Sequence, residues 1–452
     1  MSFEIIEANL GDFLDFKNGK TSPERSEDGD IRVFGSNGFI GFSNEHNSDE
    51  NTLIIGRVGT YCGSVHFSHE KCWVTDNAIA CKPRVDQEAP FWYHTLKMLD
   101  LNQFRSGSGQ PLLNQSILNS VGCKVPKFSA ERVRIGNALH QLELKITLNT
   151  QTNQTLEQMA QALFKSWFVD FDPVIDNALD SGFFEREFAG EGIPEPLAKR
   201  VAIRQALREA AAADTDASAI GRLPPETRAL FPDSFEEHPE LGWIPEGWEC
   251  VEVKELCKKV QNGGTPKRNE PIFWEGGDIP WLTSGEVRQG LIVAVDKTIT
   301  EKGLQSSSAK WLPADVTLIA LYGATAGEVA FSSIPLTTNQ AVCALIPDLH
   351  VRFFNYLAMK SKVAELAGLA VGSAQQNISK GLVESTQVIR PSDSVLEKFD
   401  VTLQPIFSRW QANIKQAQSL AKLRDTLLPK LLSGELTVFD VCQENQVESK
   451  VA

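Results

Sequence analysis

No stretch of the 452-residue chain approaches the roughly 18 consecutive apolar side chains that a membrane span needs. The opening Met1 to Gly11 carries acids where a secretory signal carries bases. A cytosolic location is the expectation. Cysteine is sparse and scattered: eight residues without a dense spacing pattern exclude a small disulfide-stapled scaffold and read as reduced, mostly buried thiols. Basic charge is also short. The net charge is −14, opposite to the footprint that phosphate binding usually leaves. That deficit is uneven, because Asp170 to Glu240 holds 7 Lys/Arg against 16 Asp/Glu and leaves only −5 for all other residues. Nucleic-acid binding by such a chain favours a partner that supplies much of the nonspecific phosphate attraction.

The remaining composition is that of an ordinary globular protein, with 42% hydrophobic and 23% charged residues. The length exceeds one hydrophobic core, so two or three domains are expected. The second half echoes the first in the same order. Asn18-Gly19-Lys20-Thr21 answers Asn262-Gly263-Gly264-Thr265, and Gly29-Asp30-Ile31 answers Gly277-Asp278-Ile279. Leu53-Ile54-Ile55, running on to Gly59 and Gly63, answers Leu318-Ile319-Ala320, running on to Gly323 and Gly327. Asp76-Asn77-Ala78 aligns with Asn339-Gln340-Ala341, and Ser108-Gly109-Gln110 with Ser373-Ala374-Gln375. Five matches in one order make a duplication, at a period too long for a solenoid. The copies differ by about twenty residues, which the sequence places around Ile272.

Each copy opens with short β-branched or aromatic runs broken by Gly, Asn and Ser, such as Ile31 to Phe34 and Ala314 to Leu321, which read as strands. Helical pieces intervene at Phe91 to Leu101 and Phe353 to Leu369, giving a mixed α+β globule in each half. Pro126 and Pro391 punctuate the ends of the globules and precede long helical patterns.

From Ala130 to Phe168, the residues Ile135, Leu139, Leu142, Ile146, Asn149, Asn153, Leu156, Ala160, Leu163 and Trp167 recur at steps of four and three. That is a heptad seam. Adding 264 gives Phe399, Leu403, Ile406, Trp410, Asn413, Ala417, Leu420, Arg424, Leu427 and Leu431, the same seam with one charged exception. Each helix extends about 58 Å at 1.5 Å per residue and needs its stripe buried, so the two are expected to pair with each other. Asn149 and Asn413 occupy equivalent seam positions at the two midpoints. An antiparallel pairing would set them face to face and let them fix the register, because a buried amide without a partner is costly. The alternative is that both face solvent. Antiparallel pairing would place the globules at opposite ends of a rod, with Asp170 to Glu240 running back as a solvated connector.

These residues resemble the specificity (S) subunits of type I restriction-modification systems. Leu241-Gly242-Trp243-Ile244-Pro245-Glu246-Gly247-Trp248 resembles the segment that opens their target-recognition domains. Leu428-Pro429-Lys430-Leu431-Leu432-Ser433-Gly434-Glu435-Leu436 resembles the close of their second long helix, and Phe164 to Pro173 the close of the first. The resemblance covers nearly the whole chain and implies an α+β protein in which two homologous target-recognition domains are separated by two long antiparallel coiled-coil helices with internal pseudo-two-fold symmetry. The corresponding divisions are 1–128 and 241–392 for the two recognition domains, 129–169 and 393–433 for the long helices, 170–240 for the acidic connector and 434–452 for a C-terminal tail. It further implies recognition of a bipartite, asymmetric site in double-stranded DNA, one half per globule. Two adenine-methylating modification subunits that use S-adenosylmethionine would bind the chain, and translocating restriction subunits would complete a nuclease, so that S-adenosylmethionine, ATP and Mg²⁺ belong to partners only. The helix pair would act as a ruler for the spacer between half-sites.

The chain's own residues offer no catalytic constellation. The adenine-methylation signature, Asn or Asp before Pro-Pro and an aromatic, is absent. Gly19-Lys20-Thr21 resembles the tail of a phosphate-binding loop, but Leu14 stands where its leading Gly belongs, so a turn is the better account. Asp233, Glu252 and Lys254 loosely imitate a nuclease pattern that would hold Mg²⁺ and polarise water. A connector acid and an exposed strand are the preferred reading. Cys62, His66, His69 and Cys72 are zinc-compatible by type, but their spacing fits no usual finger, and small-domain packing is the default.

Base reading needs side chains with defined donors and acceptors on loops, flanked by Lys and Arg for phosphates. The candidates in the first globule are Lys17, Lys20, Thr21, Arg25, Arg57, Tyr61, Ser108 and Gln110. In the second they are Thr265, Lys267, Arg268, Ser284, Arg288, Tyr322, Thr325, Gln375 and Gln376. Any of them could instead only shape a turn. Two rival functions remain open at this point: a coiled-coil adaptor whose globules bind proteins without sequence-specific DNA binding, and a Mg²⁺-dependent nuclease using the acids above.

Overall fold

The structure, a computed structural model, describes residues 3–105, 112–190, 192–213, 222–363, 365–366 and 377–438. Contacts divide the chain into two compact units, Met1–Asn149 with Gln416–Ala452, and Thr150–Lys415. Each long helix contributes residues to both. Among the described residues, no helix is long and apolar enough to cross a membrane.

In the first unit β1 (Ile5–Asn9) pairs antiparallel with a strand near the end of the globule, Gly122–Pro126. The body is a four-stranded sheet. Its edge strand β2 (Leu14–Asn18) lies beside β8 (Ala78–Pro83), followed by β5 (Thr52–Gly56) and β6 (Val65–Ser68), all antiparallel. Every residue of β5 is buried, which is why Thr52 to Gly56 reads as a continuous apolar run and not as an alternating one. A smaller sheet holds β3 (Ile31–Gly35) between β4 (Gly38–Ser43) and β7 (Cys72–Val74), with β3 and β7 parallel. The helix Ala89–Met98 covers the larger sheet. Its Phe91, Trp92 and Leu96 share one core with Leu53, Ile55 and Ile79 of the sheet, Ile135 and Leu139 of the first long helix, and Leu431 and Leu432 of the second.

The globule of the second unit repeats this plan. Here β12 (Glu249–Glu252) pairs with β21 (Gln387–Arg390) as β1 does with its partner. The larger sheet runs β13 (Cys257–Asn262), β20 (Val342–Pro347), β17 (Val316–Ala320), β18 (Val329–Ser332), then the additional β15 (Leu291–Ile292). The smaller holds β14 (Ile279–Leu282) between β16 (Thr298–Ile299) and β19 (Thr337–Thr338), again with one parallel pair. From β5 onward the two ladders differ by a constant 264: Leu53 faces Cys81, and Thr317 faces Leu345.

That constant moves two of the sequence matches by one residue. Ile54-Ile55-Gly56 answers Leu318-Ile319-Ala320, and Asp76-Asn77-Ala78 answers Gln340-Ala341-Val342. Matching by residue type missed this because register is set by the ladder and by the turn glycines, Gly59 and Gly63 against Gly323 and Gly327, all at positive φ. The added length of the second copy is also displaced from the expected place. The offset is 248 at Gly29 and Gly277 but 264 at Thr52 and Val316. Most of the extra residues therefore lie after β14, where they supply β15 and the short helix Glu301–Gln305.

The long helices span Ser129–Phe168 and Asp393–Leu432, within a residue of the heptad reading. Within each unit their segments run antiparallel. In the first, Asn149 Nδ2 donates to Gln416 Oε1 at 2.9 Å, and Arg424 pairs with Glu143. In the second, Asn413 Nδ2 donates to Asn153 Oδ1 at 3.0 Å, and Phe399 packs on Trp167 and Phe168 at 5.3 and 4.7 Å. Asn149 and Asn413 are each 2% exposed, which removes the solvent-facing alternative. Gly136, inside the first helix, admits close approach: a Cβ there would lie 2.5 Å from the Phe91 amide nitrogen.

Each globule is clamped to a long helix by an ion pair, buried in the first unit and half-buried in the second. Arg132 on the first helix forms a bidentate pair with Glu88 at 2.9 and 2.8 Å. Arg132 also donates to the carbonyls of Pro126 and Lys127, and Glu88 accepts from the Trp92 indole. In the second unit Arg352 lies on the globule and pairs with Asp400 of the long helix at 2.9 and 3.1 Å, and with Asp315 at 2.7 Å.

The described residues of the span 170–240, expected to be a solvated connector, are folded instead. Helix Asp172–Ser181 presents Asp172, Asp176 and Asp180 at four-residue steps, and helix Glu195–Ala213 presents Arg200, Arg204 and Arg208 at the same steps. Arg204 clasps Asp176 at 3.1 and 2.5 Å with both side chains buried. Asp180 collects Arg208, Arg222 and Arg228. Phe171, Val174, Ile175, Phe183, Phe184, Leu197 and Val201 join the same core as Trp167, Phe168 and Trp248. A hairpin of β10 (Phe235–His238) and β11 (Gly242–Pro245) ends the segment. Net charge misled here because three of the acids that make the span look solvated, Asp172, Asp176 and Asp180, hold its arginines.

A buried imidazole sits under the first globule. His94 is 3% exposed, and its Nε2 has no hydrogen-bond partner. Burial, only partly opposed by Glu143, pushes its pKa down to about 4, while Lys97, Arg424 and His140 also disfavour a second proton. His69 and His140, with ring centroids 4.8 Å apart, are lowered too, first by burial.

Two outcomes follow from this packing. Asp176→Ala leaves a guanidinium buried without its carboxylate and should lower stability in denaturant unfolding of the full chain by about 3–5 kcal/mol, with partial recovery when Arg204→Met is added. The unfolded chain protonates His94 near 6.5, whereas the folded chain does so only near 4. Its contribution to stability is therefore complete above about pH 6.5 and declines as the pH falls toward 4. Between pH 7 and 5, wild type should lose about 2 kcal/mol more than His94→Met. Equal pH dependence of the two in thermal or denaturant unfolding would contradict this account.

Candidate nucleic-acid interface

In the first globule three loops and a returning segment converge at one end of the larger sheet. The Gly19 amide donates to the Ala78 carbonyl and that of Lys20 to Val74. A Cβ at Gly19 would lie 2.0 Å from the Thr75 carbonyl oxygen, so the Asn-Gly pair marks a backbone crossing, which is also why no phosphate loop forms there. The Arg57 amide donates to the Asn77 carbonyl and the Leu113 amide to the Arg57 carbonyl, both at 3.0 Å, and Val58 bridges Leu112. Lys20, Thr21, Asp76 and Asn77 are exposed around this junction, Tyr61 is 51% exposed, and Arg57 is half-buried.

The second globule builds the same junction. Gly263 meets the Thr338 carbonyl at the same 2.0 Å, and Gly264 donates to Thr338. Leu321 donates to Ala341 and accepts from Ile378, while Tyr322 bridges Asn377. Thr265 is hydrogen-bonded to Gln340, and Arg288 donates to the Ala324 carbonyl at 2.5 Å, which brings Thr265, Gln340, Arg288 and exposed Tyr322 to one place. Ser284 is half-buried at the start of the short helical turn Ser284–Gln289. Lys267 and Arg268 are exposed on a loop pinned by two indoles: Trp274 donates to the Lys267 carbonyl and Trp281 to that of Gly264.

Thr325 does not fit its expected role. It is 8% exposed, and its hydroxyl donates to the Tyr322 carbonyl at 3.3 Å, so it shapes the turn and presents nothing outward. Lys17 is exposed on β2, opposite Ala80, and Arg25 lies beside Gly41 of β4; among the described residues no hydrogen bond ties either to the junction. Ser108, Gln110, Gln375 and Gln376 lie outside the described residues. Sequence reasoning missed Asn77 and Gln340, whose places appear only through strand pairing. It also missed Phe39 and Phe42, both exposed with rings 5.0 Å apart, although the run Gly38-Phe39-Ile40-Gly41-Phe42 carries a signal in its aromatic and glycine spacing.

The other constellations do not converge. Cys62 joins the main core of the first globule and Cys72 a separate small cluster, while His69 stacks on Phe67 and His66 lies under Gly38. Burial raises both thiols, that of Cys72 to about 11. Lys254 is paired with Glu252 at the surface, whereas the Asp233 carbonyl caps Ser181. Among the described residues, no three His, Cys, Asp or Glu side chains form a group that could hold a metal ion.

The junction exists twice with the same backbone and different side chains. Arg57 and Tyr61 stand where the second copy has Leu321 and Thr325, while Tyr322 replaces Val58 and Arg288 arrives from another element. The comparisons with known proteins fall on these same two copies. The family model of the type I restriction modification DNA specificity domain matches residues 5–158 and 245–419. The HindI specificity subunit of a type I restriction enzyme from Haemophilus influenzae is 31% identical over 358 residues, 74% of this chain and 72% of that protein. The MjaIX specificity subunit from Methanocaldococcus jannaschii is 22% identical over 79% of this chain and 72% of its own length. The crystal structure of the S subunit of a type I restriction-modification system from M. genitalium shares the fold with a TM-score of 0.61 at 15% identity, covering 95% of this chain and 96% of that one. With one family match on each globule and its long helix, and a relative of this identity over most of its length, the chain belongs to the type I restriction-modification DNA specificity family.

Proposed function

We propose that this specificity subunit reads a bipartite, asymmetric site in double-stranded DNA, one half with each junction. It would recruit two adenine-methylating modification subunits and the translocating restriction subunits of a type I complex. The observation that carries this reading is the duplicated junction: one backbone frame offers two different sets of donors, as two unlike half-sites require. S-adenosylmethionine, ATP and Mg²⁺ are assigned to the partners, and the cytosol is the proposed location. The long helices would set the spacer, with the buried amides Asn149 and Asn413 fixing their register.

Sequencing of modified adenines in cells that carry the complete complex tests this directly. The expected product is a split motif of two unlike halves around a spacer of constant length; a protein-binding adaptor would leave no sequence-dependent mark, and a contiguous motif would remove the reading. Asn149→Leu combined with Asn413→Leu should keep the helices but admit a second spacer length. Arg268→Ala should weaken binding of DNA carrying the second half-sequence by about 1–3 kcal/mol if the side chain reads a base. Unchanged affinity at moderate salt would strike Arg268 from the contact set.

A further inference from the structure

Arg57 differs from every other half-buried arginine among the described residues. Arg208, Arg222, Arg228, Arg352, Arg390 and Arg424 each hold a carboxylate, as does the more deeply buried Arg204, and Arg200 lies over the Phe171 ring. Arg57 has neither an acid nor a ring. Its Nε is buried without any hydrogen-bond partner, while its backbone is pinned on both sides, by Asn77 and by Leu113. The Cys62 thiol donates to its carbonyl at 3.3 Å, holding the turn from inside. Burying the stem of a cation without a counter-charge is costly, and folding alone gives no return for it. The cost is recovered when an acceptor arrives from outside the chain. Because the guanidinium is planar and always charged, a fixed stem aims two parallel donors in one direction.

We infer that Arg57 is a specificity-determining residue of the first half-site, donating to the acceptor edge of a guanine in the major groove. This rests on the DNA-reading function proposed above and narrows it. Phosphates are more simply met by the freely exposed Lys17, Lys20 and Arg25, whereas the rigid placement of Arg57 suits an acceptor pair of fixed geometry. The second globule cannot make this contact from the same position, since Leu321 stands there and is fully buried. The two halves would then differ at this point of the frame.

The test uses the full chain assembled with its modification subunits, as wild type, Arg57→Met, which keeps the buried stem, and Arg57→Lys, which keeps the charge. Modified adenines are mapped in cells, and binding is measured on duplexes in which each position of the mapped motif is varied. Both variants should bind the wild-type site about ten- to a hundredfold more weakly. They should lose discrimination at one G·C pair of one half while the other half stays as selective as before, with unfolding midpoints confirming that they fold. A uniform loss across all sequences, with a shallower salt dependence, would mean a phosphate contact and overturn the inference. A motif unchanged in Arg57→Met would overturn it too. If wild type itself marks no split motif, the DNA-reading function falls first, and this inference with it.

Discussion

The orientation of each globule depends on one kind of contact, an arginine held by carboxylates where the globule meets a long helix, buried in the first unit and half-buried in the second. Such a pair adds little net stability over an apolar substitute, but it tolerates very little displacement, because losing either partner strands a charge in the interior. In the first unit the arginine is on the helix and the acid on the globule; in the second the polarity is reversed. Each joint therefore has its own complement. The same geometry that keeps Glu88 on Arg132 also seats helix Ala89–Met98 against Ile135 and Leu139, and that helix covers the sheet whose strand ends bear the junction. Position at the junction is inherited from the joint.

Duplication supplies the frame, and divergence is confined to what the frame can spare. From β5 onward the ladders keep a constant 264-residue offset, and the demanding glycines recur: at Gly19 and Gly263 a side chain would collide with main chain, and at Gly59 and Gly323 the φ is positive. Side chains around those fixed points differ between the copies. Val58 and Tyr322 sit in equivalent bridges, Arg57 and Leu321 in equivalent bends, and each sheet tolerates the exchange. A protein that must change its target while keeping its partners needs this separation between a rigid backbone and replaceable surface chemistry.

Much of this was legible in the sequence. Heptad spacing located both long helices within a residue, because a 40-residue helix must bury a regular stripe. The repeat located the junction, because Asn-Gly and the paired turn glycines are demanded by the backbone. Three things were hidden, each for a physical reason. Matching Leu53 to Leu318 by type put a strand one residue out of register, since a fully buried strand has no polar face to mark its phase. The folding of 170–240 was masked by its charge, because a ladder of Asp and Arg at four-residue steps on two helices looks, in one dimension, like an acidic linker. Thr325 looked like a contact because turn-forming hydroxyls and surface hydroxyls are chemically the same.

The electrostatic consequence of that folded segment bears on how the chain meets DNA. Its arginines at 204, 208, 222 and 228 are committed to Asp176 and Asp180, whose charge offsets theirs. Exposed, uncommitted bases at the junctions are few, and the net charge remains −14. Counterion release from so few cations gives weak nonspecific attraction. Selectivity does not suffer in proportion, since it comes from how well donors match a base edge and not from total charge. On the DNA-reading function proposed above, a subunit with so few free cations would not linger alone on arbitrary DNA. Phosphate contacts brought by partner subunits would then complete binding, and recognition would be coupled to the subunits that act on the site.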